Sequence, residues 1–173
     1  MSFETLPAGP NPPDVLYCVV EVPKQGSLKF EFDEEHEVFK LDRVLHSPLF
    51  YPCDYGFIPK TRSDDGDHLD VLVAVTQPSF CGAVIPVRPV GLLKMTDEKG
   101  QDFKILAVPA GDPRFKQVQS LKDLGEHIPL EIGHFFQIYK TLEKKKVTIG
   151  GWSDVKEAKA EVLRSMEMFK NQG

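Results

Sequence analysis

The chain has 173 residues, 41% of them hydrophobic and 27% charged, which fits one soluble globular domain over residues 1–173 that can bury a core without disulfide or metal staples. Its formal net charge of -5 argues against a nucleic acid or a membrane held by bulk electrostatics, although an acidic total can hide a local basic pocket. Cys18, Cys53 and Cys81 are odd in number and never spaced C-x-x-C, so they support neither a disulfide framework nor a zinc knuckle and read as free thiols in a reducing compartment.

Met1 to Thr5 carries no basic region followed by an apolar run, and no later stretch approaches membrane-spanning length, so a cytoplasmic chain is expected. Leu6 to Pro13 holds four prolines, which excludes a regular helix and predicts an arm laid over the body. Val15 to Val22 reads as a buried strand, apolar nearly throughout except for Glu21 close to its end. After a turn at Pro23 to Gly26, Ser27 to Asp33 alternates cleanly, with Leu28, Phe30 and Phe32 on one face and Lys29, Glu31 and Asp33 on the other. Taken alone, Lys29 beside Glu31 is what any half-exposed strand shows. Glu34 to Glu37 is a charged turn, and Val38 to Arg43 is a third strand.

Ser47 to Pro59 is aromatic-rich and broken by prolines, which restrict themselves and their predecessors, so an extended, irregular segment is expected. Its Tyr51 and Tyr55 fit equally a core with satisfied hydroxyls or donors aimed at an anion. Next, Asp65-Gly66-Asp67-His68-Leu69-Asp70 runs directly into the apolar segment Val71 to Val75. Asp and Gly disfavour strand interiors, so the pattern predicts a tight loop that sets three carboxylates at the mouth of a buried strand. At a separation of ~6 Å and an effective dielectric of ~20, each carboxylate pair costs roughly 3 kcal/mol, and a hard divalent ion with oxygen ligands relieves that cost. A solvated acidic turn is the bland alternative. An EF-hand is excluded by spacing, because with Gly66 at loop position six the first position falls on Thr61 and the twelfth on Leu72, neither acidic.

A strand from Ala83 to Arg88 follows a turn at Pro78 to Gly82. Val90 to Met95 and Phe103 to Val108 then flank a hairpin connection, Thr96 to Gln101, with Gly100 near its tip. Asp97 and Asp102 thus stand on either side of the hairpin mouth. Lys104 shares the face of Asp102, while Phe103, Ile105 and Ala107 point the other way. Beyond Pro109 the chain reads as helical with loops. A helix is expected over Leu130 to Lys145, where Phe135, Ile138 and Leu142 recur at helical spacing beside Tyr139 and Lys140. Lys144, Lys145 and Lys146 read as a solvated helix end. Val147 to Gly151 is a short strand. Asp154 with Glu157 resembles a capping box opening a last helix whose Val155, Ala158, Val162, Met166 and Phe169 face inward.

The succession Val20-Glu21-Val22-Pro23, Leu28-Lys29-Phe30-Glu31, Phe50-Tyr51-Pro52-Cys53-Asp54-Tyr55-Gly56, Asp65-Gly66-Asp67-x-x-Asp70-Val71-Leu72-Val73, Arg88-Pro89-Val90-Gly91 and Lys94-Met95-Thr96-Asp97-Glu98 resembles the family I soluble inorganic pyrophosphatases of bacterial length. The likeness runs from about Leu6 to the C-terminal helix. His68 departs from it, standing where Pro is usual, and Asp54 stands where many members have Asn. The resemblance implies an α+β, mainly β fold, a five-stranded OB-like closed β-barrel with helices packed outside. It implies metal-dependent hydrolysis of pyrophosphate to two orthophosphates, with several Mg2+ per site and Mn2+ or Zn2+ as substitutes. Carried over by position, Asp65, Asp70 and Asp102 are similar to the ligands of the tightest ion, Asp97 and Asp102 to ligands of further ions, and Glu21 and Glu31 to an acidic outer shell. Asp67 resembles the general base. Lys29, Arg43, Tyr55, Lys104, Tyr139 and Lys140 look like the phosphate-binding set, and Tyr51 like a supporting residue. A homohexamer built partly through helices around His134 is also implied, with neither nucleic acid nor membrane as partner. The rival reading is an OB-like binding module without turnover, which would present a basic groove with exposed stacking aromatics in place of this carboxylate-rich mouth.

Overall fold

A computed structural model describes Phe3 and residues 5–172; Met1, Ser2 and Glu4, part of the stretch read for a targeting signal, lie outside the described residues. Five strands close on themselves. β1 (Leu16–Val22) pairs antiparallel with β4 (Asp54–Ile58), β4 with β5 (Leu69–Val73), β5 in parallel with β8 (Lys104–Pro109), β8 antiparallel with β6 (Val84–Asp97), and β6 returns to β1. This ring is the expected barrel, and closure removes the unpaired edges that an open sheet would expose.

β6 makes the closure possible. Its first residues pair with β1, its middle with β8, and its last part with β9 (Thr148–Ser153) and the short β7 (Gly100–Gln101). Sequence reasoning divides this stretch into two strands at Pro89. The chain instead runs through as one strand of 14 residues, with the register shifting between Pro89 and Gly91. Proline has no N–H to give a ladder, and a bulge is where a strand tolerates it.

A second departure lies at Ser47 to Pro59, where an irregular segment is expected. Its last part is β4, wholly buried. Pro52 and Pro59 bracket that strand and leave its interior intact. Gly56 at its centre lets β1 come close, since a Cβ there would sit 1.9 Å from the Val19 carbonyl oxygen.

The strands alternate as a two-faced sheet must. On β5, Val71 and Val73 join Ile105, Ala107, Ala158 and Val162 in one apolar cluster, whereas Leu72 joins Leu106, Phe135 and Phe136 in another. α2 (Val155–Gln172) covers the first cluster with Ala158, Val162 and Met166 of its expected inward face, while Phe169 sits beside Arg62 and His68, and Asp154 caps the helix by accepting from the Glu157 N–H at 3.0 Å. α1 covers the second but spans His127–Ile138, ending well before Lys145. Its buried stripe is Ile132, Phe135, Phe136 and Tyr139, and Leu142, read as continuing it, is 60% exposed in a 3-10 turn, Thr141–Glu143. The helix therefore stops where Tyr139 and Lys140 have turned inward.

β2 (Leu28–Asp33) and β3 (Val38–Val44) form a ribbon paired only with each other among the described strands. Phe32 and Phe39 dock it on the barrel through Phe3 and Phe57, near the ribbon's turn. Leu28, placed by alternation on the same face as Phe32, is 42% exposed because it lies at the far end from that contact. The proline-rich arm lies over the body as expected, with the Tyr17 N–H donating to the Ala8 carbonyl at 2.8 Å. No helix among the described residues is long and apolar enough to cross a membrane.

Candidate active site

The barrel strands, the ribbon, the acidic loop, the β6–β7 turn and the end of α1 enclose a cavity of about 380 Å³. Glu21, Lys29, Glu31, Arg43, Tyr55, Asp65, Asp67, Asp70, Asp97, Asp102, Lys104, Tyr139 and Lys140 all line it. Tyr51 does not. It is buried behind the wall, its ring 5.3 Å from that of Tyr55 and 4.8 Å from that of Phe135.

The acidic loop is closed by its own backbone. Ser63 N–H donates to Asp67 O at 2.8 Å and Gly66 N–H to Ser63 O at 3.0 Å, while Asp65 Oδ1 accepts from the Asp67 N–H at 3.1 Å. Gly66 sits at φ 90°, a left-handed conformation that side-chain-bearing residues adopt only at a cost. Thr61 seals the loop's base: its hydroxyl donates to Ile58 O at 2.5 Å and accepts from the Leu69 N–H at 3.0 Å.

Asp70, second on β5, faces Lys104 across the parallel pair, and Lys104 Nζ bridges Asp70 Oδ2 and Asp102 Oδ1, the latter at 2.8 Å. Tyr55 hydroxyl donates to the same Asp70 oxygen at 2.8 Å. Desolvation would lower the Lys104 ammonium, but Asp102 and Asp70 outweigh it and hold its pKa well above the usual value. Lys140, just past the end of α1, binds Asp97 Oδ2 at 2.8 Å, and Lys145 reaches Glu98 at 3.2 Å. On the ribbon Lys29 meets Glu31, and Arg43 Nε donates to Asp42 at 2.6 Å.

Burial and neighbouring charges shift the carboxyl groups in both directions. Desolvation, reinforced by Asp70 and Glu31, pushes buried Glu21 up to about 8 against the N–H it accepts from Phe32 and the pull of Lys29. Desolvation and Asp65 raise Asp67, and desolvation raises Asp102 despite Lys104. At Asp97 the desolvation is overcome by Lys140 and the Lys99 N–H, and its pKa is lowered. Burial keeps the Tyr55 and Tyr139 hydroxyls protonated far above neutral pH.

Among the described residues no three donors converge closely enough to hold a metal ion, and most of these carboxylates are turned to lysines instead. The donor set nevertheless fits a hard divalent cation: every carboxylate carried over as a ligand lines one cavity, and two of them, Glu21 and Asp102, are held above their ordinary range. Lys99, Lys145, Glu98, Glu34, Arg62 and His68 also line the cavity and were not predicted as site residues. Lys99 pairs with Asp67 at 3.7 Å, a contact that no local spacing reveals. Lys145, read as a solvated helix end, borders the cavity with its side chain 40% exposed, because α1 has already ended.

A closed barrel with carboxylates and cations facing one another across its mouth defines a class: an enzyme for a compact polyanion whose charge metal ions and lysines share. The sequence profile of the inorganic pyrophosphatase family matches residues 18–170, and the chain belongs to that family. It is 47% identical to the inorganic pyrophosphatase of Nostoc sp. over 170 residues, 98% of this chain and 100% of that protein. It is 46% identical to that of Thermus thermophilus over 172 residues, 98% of each. The crystal structure of the inorganic pyrophosphatase from Thermus thermophilus superposes with a TM-score of 0.94 at 44% identity, covering 98% of this chain and 99% of that one. Membership implies dependence on a divalent metal.

Proposed function

We propose how this chain carries out its family's reaction, hydrolysis of inorganic pyrophosphate to two orthophosphates. Asp65, Asp70 and Asp102 would hold the tightest ion, with Asp97 completing the set for ions that arrive with substrate and Glu21 and Glu31 behind them. The ions are Mg2+, for which Mn2+ or Zn2+ can substitute. When bound, they supply a water acidic enough to attack at neutral pH and neutralise phosphate oxygens.

The chain's own groups do the rest. Asp67 is 71% exposed at the cavity wall with its pKa raised, which suits a base that takes the proton of the attacking water. As the new P–O bond forms and the bridging P–O bond breaks, charge shifts onto the leaving phosphate. Lys29, Arg43, Lys104 and Lys140 grip that phosphate, and Tyr55 and Tyr139 donate hydrogen bonds without adding charge. Tyr51 supports Tyr55 from behind. One observation carries the assignment: residues spread from Glu21 to Lys140 line a single cavity. Asp67→Asn tests it, and turnover is expected to fall about 10²-fold or more while calorimetry finds the resting Mg2+ affinity nearly unchanged. Equal losses in both would make Asp67 chiefly a ligand.

We also propose that residues 1–173 act as one catalytic domain, that it works in the cytoplasm, and that it assembles as a homohexamer. Exposed Leu130 on α1 is consistent with assembly, and sedimentation equilibrium reads the number of copies directly.

A further inference from the structure

We propose that Glu34 is a positioning residue that latches the β2–β3 ribbon to the acidic loop and so sets the gap between the phosphate-gripping and metal-holding walls of the cavity; the inference rests on the pyrophosphate-hydrolysing reading above. The ribbon pairs with no other described strand, yet it carries Lys29, Glu31 and Arg43. The opposite wall, the loop and β5, carries Asp65, Asp67 and Asp70. At the ribbon's turn, Glu34 Oε2 accepts from Arg62 Nη2 at 3.0 Å, and Glu34 Oε1 lies 2.6 Å from His68 Nε2. Arg62 and His68 flank the loop on its two sides.

The loop end of the latch is fixed to the body. His68 stacks on Phe57 of β4 at 4.8 Å and 11°, and its Nδ1 lies 2.8 Å from Arg62 Nη1, which leaves Nε2 to donate to Glu34. Arg62 N–H donates to Ser165 O of α2 at 2.9 Å, and its guanidinium lies 5.2 Å over the Phe169 ring. Removing Glu34 therefore loosens the ribbon at its turn, where the docking of Phe32 and Phe39 remains, and leaves the loop in place.

Glu34 is 53% exposed, so Glu34→Ala and Glu34→Gln should leave the fold intact. In the full chain, Glu34→Ala is expected to raise the KM for pyrophosphate about threefold or more with kcat within about twofold. The Mg2+ affinity of the resting protein should stay unchanged by calorimetry. Amide exchange should quicken across residues 28–44 and not across 63–67. Glu34→Gln, which keeps an acceptor for Arg62, should fall between. An unchanged KM, with or without a lower melting temperature, overturns the proposal, as does metal affinity falling in step with KM. If the parent chain released no phosphate from pyrophosphate, the underlying reading would fail, and exchange across the ribbon would decide the latch by itself.

Discussion

Asp70 and Asp102 are both held by Lys104, which is 2% exposed. A buried charge of this kind is stable only while paired, so the two carboxylates are what make the buried ammonium tolerable. Glu21, raised chiefly by its burial, gives the site a pH dependence. Its folded pKa of about 8 lies above the unfolded value of 4.5, so the stability that its protonated form contributes is complete below about 4.5 and is lost as pH rises through about 8. Denaturant unfolding of the metal-free protein is thus expected to weaken across that window, and Glu21→Gln should flatten the slope. A slope that survives the substitution would assign it elsewhere. This behaviour was beyond sequence reasoning, which could see that Glu21 sat in an apolar run but not that Phe32 N–H and Asp70 would close around it.

Among the elements, period-two patterns were the most legible. β1, β2, β3, β5 and β8 lie within a residue or two of their expected places, and the faces of Asp102 with Lys104 against Ile105 with Ala107 came out as read. Prolines misled in both directions, dividing β6 where a bulge carries Pro89 and hiding β4 between Pro52 and Pro59. The end of α1 was misjudged because Leu142 matches the apolar period, whereas only tertiary contact shows that the stripe stops at Tyr139. That early end has a functional consequence. It turns Lys140 onto Asp97 and Lys145 onto Glu98, so the connection after α1 forms one wall of the cavity. Lys140→Ala is expected to weaken phosphate binding about tenfold, as a rise in KM, without unfolding the protein. Unchanged KM and kcat would mean that this wall does not meet the substrate.

At the scale of the whole molecule, closure of the barrel is what gathers distant charges. The route β1-β4-β5-β8-β6 puts Glu21, Tyr55, Asp70, Asp97 and Lys104 on adjoining strands although they span much of the sequence, and the ribbon and α1 then wall the open side. The candidate site residues came position by position from the resemblance to the pyrophosphatases, and all but Tyr51 line one cavity. The pairing of charges around it was not legible, since Lys99 with Asp67 and Glu34 with Arg62 depend on how the loops fold back. Phosphate release from pyrophosphate, followed with added Mg2+ and again after chelation, is the most direct test. Release that requires the metal and returns when it is restored is expected, and no release, or release indifferent to chelation, would contradict the assignment of this cavity to metal-assisted hydrolysis.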